Sequence, residues 1–428
     1  MLKRWAIVAV LALGCSVVPV ERVAATTPGA SVDGTAVDSI VRVLEELSAR
    51  IARDRLSAPR SSRLYAATAL GLLAGWSSAR GESLTGVADG FVAPTPTTDV
   101  DPTLAAIAAA ATVERSLFGL TADRSTFASA RDAALVALTR SHDAAFAKAS
   151  VSHGIDVGEA VVQYVATDGT ADLKSIKQPV ASNPGDWVQT PPNFQPPIEP
   201  GWGTLRTFRS SSTDCELPAP PTDGPSDSPY EAQASEVADV AAQLTDEQEA
   251  VARFWDDGRG RTGTPAGHWF VLALEVGRDS GVDAEAMVHL VADTAMAIAD
   301  AFIVVWREKY KWMVERPITV LQRRDPTWSS YLVTPAFPEY PSGHSAISRA
   351  AADVLTSHLG EREFTDPGWG MTGPSRADFE IAPRTFPSFS AAAAEASASR
   401  LYAGIHFPMG IEAGIRLGAC IGKGFAAR

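Results

Sequence analysis

The chain has 428 residues, of which 46% are hydrophobic and 20% charged, and its formal net charge is −13. This length and apolar content provide for a large core, in one long domain or two to three smaller ones, and exclude a mostly disordered, low-complexity chain. Basic residues do not cluster in this acidic sequence, which argues against a nucleic acid as partner.

Residues 1–25 have the pattern of a secretory signal peptide. Lys3 and Arg4 precede an almost wholly apolar stretch at 5–18, and the sequence VAA at 23–25 suits cleavage. No later stretch approaches 18 uninterrupted apolar residues, so we expect a mature chain without a membrane span, secreted or held in the cell envelope. The alternative is an N-terminal segment that is retained as an anchor.

Three cysteines are present, and Cys15 would leave with the signal peptide. Cys215 and Cys420 would then remain in an oxidising compartment, where a disulfide can form. The sequence does not tell whether their Cα atoms lie close enough for a bridge. A disulfide and two separate thiols therefore both stay open.

Residues 26–178 form the predicted N-terminal helical half. Apolar residues recur there with helical spacing, which predicts helices over 36–52, 61–75, 103–119, 124–149 and 156–167. No run of alternating strands interrupts these patterns. The predicted fold class is therefore all-α.

Residues 179–229 form a predicted crossover between the two helical halves. Twelve prolines exclude helix through most of this span. Such a composition is also typical of a flexible linker. Trp187, Phe194, Trp202 and Phe208 favour a long ordered loop instead, because aromatic side chains at this density need burial.

Residues 230–428 form the predicted C-terminal helical bundle, whose longest helical pattern covers 283–316. An apolar stripe along that pattern ends in Lys309 and Arg316. Buried cations need a counter-charge, and a bound anion supplies it if no carboxylate of the protein does. Asp300 lies on the face opposite Lys309 and does not qualify. The alternative is a pair of long side chains that reach solvent at the helix end.

A second motif, FPEYPSGHSAIS, lies immediately before a predicted helix. Ser342, Gly343 and His344 would sit at the N-terminus of that helix, where free N–H groups and the helix dipole favour an anion. The alternative is an ordinary helix cap beside an incidental histidine.

A third motif, SRLYAGIHFPMG, contains Arg400 and His406. Six residues along one continuous helix would set them about 240° apart. Gly404 and Pro408 predict a break between them, with a new helix starting near Pro408. Arg400 can then end one helix while His406 precedes the next, and both can face one pocket.

Together the three motifs supply two arginines, a lysine, a serine hydroxyl, a glycine N–H and two histidines. Such donors suit a tetrahedral or trigonal-bipyramidal oxyanion. The remaining histidines lack such neighbours in the sequence, and we interpret them as surface or satisfied core residues: His142, His153, His268, His289 and His358.

The motifs Lys-x6-Arg-Pro, Pro-Ser-Gly-His and Ser-Arg-x5-His resemble those of the superfamily of type 2 phosphatidic acid phosphatases and vanadium-dependent haloperoxidases. Residues 187–428 are similar to its secreted bacterial haloperoxidase-like branch. The resemblance implies a fold of two four-helix bundles, as in vanadium chloroperoxidase, with the anion at the end of one bundle.

The resemblance also implies a role for each motif residue. His406 would be the apical group, either the vanadium ligand of a peroxidase or the phosphorylated nucleophile of a phosphatase, and His344 would be the general acid/base. The oxygens of vanadate or phosphate would be held by Lys309, Arg316, Ser342, Gly343 and Arg400.

Trp306 and Phe337 match positions that border the halide site in chloroperoxidases, although both are also explained as core aromatics. We therefore expect an enzyme that oxidises a halide with hydrogen peroxide at bound vanadate, and that halogenates a small organic acceptor. A soluble acid phosphatase that works through phospho-His406 without a cofactor is the alternative. A degenerate phosphate-binding homologue is a third.

One position departs from the family pattern. The family usually has an aspartate four residues after the last histidine, where this chain has Gly410. A carboxylate of this kind orients the ligand histidine and raises its basicity. Glu412 is nearby but points elsewhere on a regular helix. We therefore expect weaker vanadate binding or slower turnover.

Overall fold

The computed structural model describes residues 32–118, 133–221, 229–368 and 381–426. The predicted signal peptide at 1–25 lies outside them. In this part of the chain the structure is mainly helical, which confirms the predicted class. The helices are α1 (Val32–Arg53), α2 (Ala58–Ala79), α3 (Pro102–Leu117), α4 (Ala144–Ala166), α5 (Pro229–Ala242), α6 (Asp246–Phe254), α7 (Thr264–Asp279), α8 (Ala284–Trp312), α9 (Pro317–Gln322), α10 (Gly343–Leu359), α11 (Phe389–Tyr402) and α12 (Pro408–Ala426).

Two short strands, β1 (Phe364–Asp366) and β2 (Arg384–Phe386), pair antiparallel and were not predicted. The helices predicted over 124–149 and 156–167 are also corrected where the structure describes them, since residues 124–132 lie outside the described ranges. After a short helical segment at 133–139, one continuous helix, α4, covers the gap between them. It starts at Ala144, after Asp143, whose carboxylate accepts hydrogen bonds from the N–H groups of Ala145 and Phe146.

Helix α8 is the central element of the fold. It packs against α2, α7, α10 and α12. Its length and apolar composition match those of a bilayer-spanning helix, but 94% of its most apolar 18-residue stretch is buried within the protein. Burial on all sides explains this composition for a core helix. One continuous hydrophobic core contains residues of both helical halves, so the crossover does not separate two cores within the described residues.

Helix α12 lies unusually close to α10 because glycine recurs at every fourth position of its contact face. A Cβ on Gly414 would lie 2.5 Å from the carbonyl oxygen of Ser342, and one on Gly418 would collide with the carbonyl of Ala346. A Cβ on Gly422 would lie 3.0 Å from the carbonyl oxygen of Ala350. These close contacts fix the N-terminal ends of the two helices relative to each other.

The close packing leads to a first prediction. Gly418→Ala is expected to lower the free energy of unfolding by about 1–3 kcal/mol, because the added methyl group forces the two helices apart. Gly424→Ala is the matched control, since a Cβ there meets only Ser211 Oγ at 3.7 Å. It is expected to be neutral or to stabilise by up to about 1 kcal/mol. Urea unfolding of both variants checks this, and equal stability would contradict the packing argument.

The proline-rich crossover is ordered and packed on the helices. Trp187, Trp202 and Phe208 are buried as predicted, whereas the prediction for Phe194 is wrong, because it lies in a turn with φ 46° and is 57% exposed. Asp300 accepts hydrogen bonds from the N–H groups of Phe208 (2.7 Å) and Arg209 (3.0 Å). Its partner is therefore the crossover and not Lys309.

Cys215 and Cys420 are joined by a disulfide, with their Cα atoms 5.9 Å apart. The bond links the crossover to α12 and decides the alternative that the sequence left open. The two cysteines are 205 residues apart in sequence, and a bridge that closes so long a loop strongly restricts the unfolded chain. It therefore helps to hold the crossover against the C-terminal helices.

Candidate anion site

The chain turns sharply after α8. The helix ends at Trp312, and Met313 has the positive φ of a left-handed cap, 51°. Arg316 follows outside this helix, as the N-cap residue of α9. The prediction of one helical stripe from 283 to 316 is therefore wrong at its end. Arg316 nevertheless has no exposed surface, because the turn directs its side chain back toward the end of α8.

Lys309 lies in the last turn of α8 and is fully buried, which excludes the solvent-reaching alternative. Its Nζ donates to the carbonyl oxygens of Pro338 and Glu339, each at 2.8 Å. Burial, followed by the charge of Arg316, lowers the pKa of Lys309 well below its usual range, against the opposing effect of Glu339. The lysine thus ties α8 to the loop that leads into α10.

Arg316 connects the same loop to the segment before α12. Its Nε donates to the carbonyl of Phe337 (2.8 Å), and its Nη1 to that of Ile405 (2.8 Å). Nη1 also lies 3.2 Å from His406 Nε2. Nη2 is buried without a hydrogen-bond partner among the described residues. Burial lowers the pKa of Arg316 to about 10, so it stays charged and keeps a donor for a further acceptor.

Helix α10 starts at Gly343, as the second motif predicts. Ser342 is its N-cap, and the Ser342 Oγ accepts from the N–H (3.3 Å) and the hydroxyl (2.9 Å) of Ser345. The Tyr340–Pro341 peptide before it is cis. Gly343 is buried, and a Cβ there would be in ordinary van der Waals contact with the Trp306 ring at 3.7 Å. The start of α10 therefore packs beside the Trp306 side chain of α8.

His344 lies in the first turn of α10, and its Nε2 is buried without a partner among the described residues. Burial, then the charges of Arg400 and His268, lower its pKa well below its usual range, although a hydrogen bond with the Trp255 carbonyl opposes them. The ring is therefore neutral at neutral pH and carries one unused nitrogen.

The predicted break in the third motif is confirmed: α11 ends at Tyr402 and α12 starts at Pro408. Arg400, only 1% exposed, donates from Nε to Ser399 Oγ (2.8 Å) and from Nη2 to the Trp255 carbonyl (2.7 Å). Burial lowers its pKa to about 10, against the effect of Asp257. Arg400 is thus a third buried cation beside the start of α10.

His406 is the point at which the three motifs meet. Burial first, then the charges of Arg316, Lys309 and Arg400 and the nearby His344, lower the pKa of His406 well below its usual range. Arg316 Nη1 contacts this ring at 3.2 Å, and the other three groups are close enough to it to shift its pKa. Ser342 joins the same region, because its N–H donates to the Gly410 carbonyl at 2.8 Å.

Glu339 is a site residue that the sequence analysis missed. It has no exposed surface, and its Oε1 lies 2.6 Å from His406 Nδ1. Burial raises the pKa of Glu339 to about 7, against the opposing charges of Lys309 and Arg316. The sequence feature that could have indicated this role is the acidic residue within FPEYPSGH, because Lys309 and Arg316 needed a counter-charge. The Glu339 carboxylate therefore lies near Lys309 and Arg316. The carboxylate near Arg400 is that of Asp257.

Trp306 and Phe337 form an aromatic wall beside the cations. Their ring centroids are 4.9 Å apart, and Lys309 Nζ and the Arg316 guanidinium lie 5.1 and 4.9 Å from the Phe337 ring. The Trp306 Nε1 donates to the Ile198 carbonyl at 3.1 Å, which fixes the indole. The two candidate halide-site residues are therefore neighbours of the cation cluster.

Comparison with known proteins gives this site a family. The model of the VCPO second helical-bundle domain matches residues 289–428, which contain all three motifs. The structure is similar to that of the first bacterial vanadium-dependent iodoperoxidase, with a TM-score of 0.82 and 29% identity over 92% of this chain and 96% of the other. The chain is therefore similar to vanadium haloperoxidases, by sequence over its second helical bundle and by structure over most of its length.

A holo-type bacterial vanadium-dependent chloroperoxidase is a more distant relative in structure. It matches with a TM-score of 0.64 and 16% identity, over 93% of this chain and 95% of the other, and this likeness concerns the fold. A search of curated proteins found no match. The similarity to vanadium haloperoxidases therefore rests on the second-bundle model and on the iodoperoxidase structure.

Beyond the motif residues of this haloperoxidase-like site, His268 is clamped between two carboxylates. Its Nδ1 lies 2.9 Å from Asp257 and its Nε2 2.8 Å from Asp366, all three side chains being buried. Burial by itself lowers the pKa of His268, but the two carboxylates outweigh it and raise that pKa well above its usual range. The interpretation as a satisfied core residue is confirmed, but the assumed lack of site neighbours is wrong.

His268 supports the haloperoxidase-like site through Trp255. The Trp255 indole stacks on the His268 ring with centroids 4.7 Å apart. The carbonyl of the same residue accepts from Arg400 and pairs with His344. The charged histidine therefore lies directly behind two of the motif residues.

Glu275, close to Asp366, allows a prediction about pH. Burial, then Asp366 and Glu45, raise the pKa of Glu275 to about 7. A carboxyl whose pKa is higher in the folded than in the unfolded state costs stability as the pH rises between those two values. Glu275→Gln is expected to stabilise by about 2–3 kcal/mol at pH 8 and to have almost no effect at pH 4.5. Urea unfolding at both pH values checks this, and equal effects would contradict it.

Proposed function

We propose that the protein is a vanadium-dependent haloperoxidase that oxidises a halide with hydrogen peroxide at vanadate bound to His406. One observation carries the proposal: the buried basic side chains of Lys309, Arg316 and Arg400 all lie close enough to the buried His406 ring to lower its pKa, and Arg316 Nη1 is 3.2 Å from its Nε2. The groups that oppose the effect of burial on the pKa of these three side chains are the Glu339 and Asp257 carboxylates and, for Arg316, also Tyr310. Such an excess of buried positive charge favours an anionic ligand.

The residues present fit an oxyanion of the size of vanadate. Arg316 Nη2 and His344 Nε2 are buried and without partners among the described residues, as expected for groups that contact a ligand. Lys309, Arg316 and Arg400 would hold its oxygens together with the Ser342 hydroxyl and the Gly343 N–H. Bound vanadate would supply the Lewis acid that activates peroxide toward the halide.

The two histidines have separate tasks in this proposal. A neutral His406 offers the lone pair of Nε2 as metal ligand. A neutral His344 accepts a proton at Nε2 from incoming peroxide and returns it to the departing oxygen. Burial, together with the positive charges around both rings, keeps them neutral, and the three basic side chains would stabilise negative charge on the bound oxygens.

Trp306 and Phe337 would border the path of the halide. Their apolar rings lie beside Lys309 and Arg316, and such a wall removes water from an anion while the cations attract it. The related iodoperoxidase supports a halide as substrate. The oxidised halogen would then pass to a small organic acceptor.

A phosphatase activity is the second candidate, because the same donors fit phosphate and a neutral His406 can act as nucleophile. The absence of the family's usual aspartate at Gly410 suggests the third candidate, a non-catalytic phosphate-binding protein. The carboxylate of Glu339 on His406 removes the reason for that suggestion.

The deciding experiment reconstitutes the purified protein with vanadate and supplies peroxide with iodide, or separately bromide, and a halogen-accepting dye. Halogenation that requires vanadate and is suppressed by excess phosphate is expected. A phosphate monoester is tested in parallel without vanadate. No halogenation together with clear release of phosphate would overturn the proposal in favour of the phosphatase.

We also propose that the protein is exported. The N-terminal pattern at 1–25 and the disulfide between Cys215 and Cys420 support an oxidising compartment. The mass of the protein recovered from the medium or the cell envelope is expected to correspond to a chain that starts near residue 26. A full-length cytoplasmic protein would contradict this.

A further inference from the structure

The side chain of Glu339 fills the place that a side chain at position 410 would take. A Cβ on Gly410 would collide with Glu339 Oε1 and lie 2.7 Å from both Cδ and Oε2. Gly410 lies in the first turn of α12 and is not among the positive-φ residues, so its backbone does not call for glycine. The absence of a side chain therefore makes room for the carboxylate of Glu339.

This carboxylate selects one tautomer of His406. Glu339 Oε1 is an acceptor 2.6 Å from His406 Nδ1, and it also accepts from the N–H of Phe407 at 3.0 Å. On the other side of the ring, Nε2 faces the Arg316 Nη1 donor at 3.2 Å. An acceptor at one nitrogen and a donor at the other require the hydrogen on Nδ1 and the lone pair on Nε2.

The backbone of Glu339 is held on both sides. Its N–H donates to the Val314 carbonyl (2.9 Å), and its own carbonyl accepts from Lys309 Nζ (2.8 Å). The side chain has no exposed surface. A carboxylate fixed in this way holds an imidazole in one orientation and not in several.

We propose that Glu339 is the positioning residue of His406, and that Glu339 and Gly410 form a mutually exclusive pair. The orienting carboxylate reaches Nδ1 from the loop before α10, and this placement excludes any side chain at 410. The role assigned to His406 rests on the proposed function. The pairing corrects the expectation that Gly410 leaves the histidine without a carboxylate.

Relocation of the carboxylate tests this proposal. The variants are Glu339→Ala, Gly410→Asp and the double variant that carries both changes. Glu412→Ala is the matched control. The Glu412 carboxylate lies close to His406 in sequence, as an aspartate at 410 would, but it is exposed and pairs with Arg416. Affinity for orthovanadate, and separately for phosphate, is measured by calorimetry. The His406 tautomer is read from ¹⁵N shifts of protein with labelled histidines.

Glu339→Ala is expected to weaken vanadate binding by roughly 10–100-fold and to shift the tautomer population away from Nδ1–H. Gly410→Asp alone is expected to lower stability and affinity, because two carboxylates compete for one place. The double variant is expected to recover affinity to within a few-fold of the wild type, together with the Nδ1–H signal. Glu412→Ala is expected to change neither.

Vanadate affinity and tautomer unchanged in Glu339→Ala would overturn the proposal, and so would Gly410→Asp with wild-type stability and affinity. If Glu339→Ala does not fold, the double variant decides, since affinity far below that of the wild type would contradict the pairing. A wild type that binds vanadate without halogenating, but loses affinity in Glu339→Ala, would refute the proposed function and keep this inference. Halogenation that is unaffected in Glu339→Ala would refute this inference and keep the proposed function.

Discussion

Replacing His406 with alanine is expected to cost more vanadate affinity than the roughly 10–100-fold that loss of a supporting residue costs, and to abolish halogenation. The reason is that His406 Nε2 is the one proposed ligand of the metal, whereas Lys309, Arg316 and Arg400 would contact only the oxygens of the vanadate. Calorimetry with orthovanadate and steady-state halogenation measure the two effects.

His344→Ala is the matched comparison for this variant. It removes the proposed proton carrier and leaves the metal ligand in place. Vanadate affinity is expected to stay within a few-fold of the wild type, while the rate falls by about 10²–10⁴-fold, the usual contribution of a general acid/base. Equal losses of affinity in both variants, or wild-type affinity in His406→Ala, would contradict the separate tasks of the two histidines.

The second large effect concerns stability. His268→Gln is expected to lower the free energy of unfolding by about 3–5 kcal/mol at pH 7, because it leaves two buried carboxylates, Asp257 and Asp366, without the cation between them. His268 is charged there because the carboxylates outweigh the effect of burial on its pKa. Denaturant unfolding followed by circular dichroism measures this difference.

His153→Gln provides the control for a buried histidine that is not charged. His153 pairs with the Ser78 hydroxyl at 2.9 Å, and burial lowers its pKa. Its replacement is expected to cost only about 1 kcal/mol, the contribution of a neutral hydrogen bond. Similar losses in the two variants would show that His268 is not a charged bridge.

The features that the sequence predicted correctly depend on local chemistry. The start of α10 at Gly343 and the break before Pro408 follow from residues that fix or free the backbone where they stand. The three motifs carry their chemistry in short spacings as well. The sequence therefore predicted the fold class and the set of motif residues that the structure brings together.

The features that it missed depend on contacts between distant parts of the chain. The turn at Met313, which moves Arg316 off the α8 stripe, is held by the loop that accepts hydrogen bonds from Lys309 and Arg316. The pairing of Glu339 with His406 joins residues 67 positions apart. No periodicity reports that a glycine is required by a carboxylate from another segment.

The same limit applies to His268 and to the disulfide. The carboxylate of Asp366 comes from a strand 98 residues after His268, and Cys215 and Cys420 are 205 residues apart. Burial without a charged partner would have made His268 neutral, and only the folded structure supplies its two carboxylates. Spacing could therefore name the histidines but not their charge.

A crystal structure of the protein soaked with orthovanadate tests the central claim most directly. We expect metal density bonded to His406 Nε2, oxygens within hydrogen-bond distance of Lys309, Arg316 and Arg400, and Nδ1 still on the Glu339 carboxylate. Vanadate bound elsewhere, or a site in which these cations do not contact it, would contradict the account.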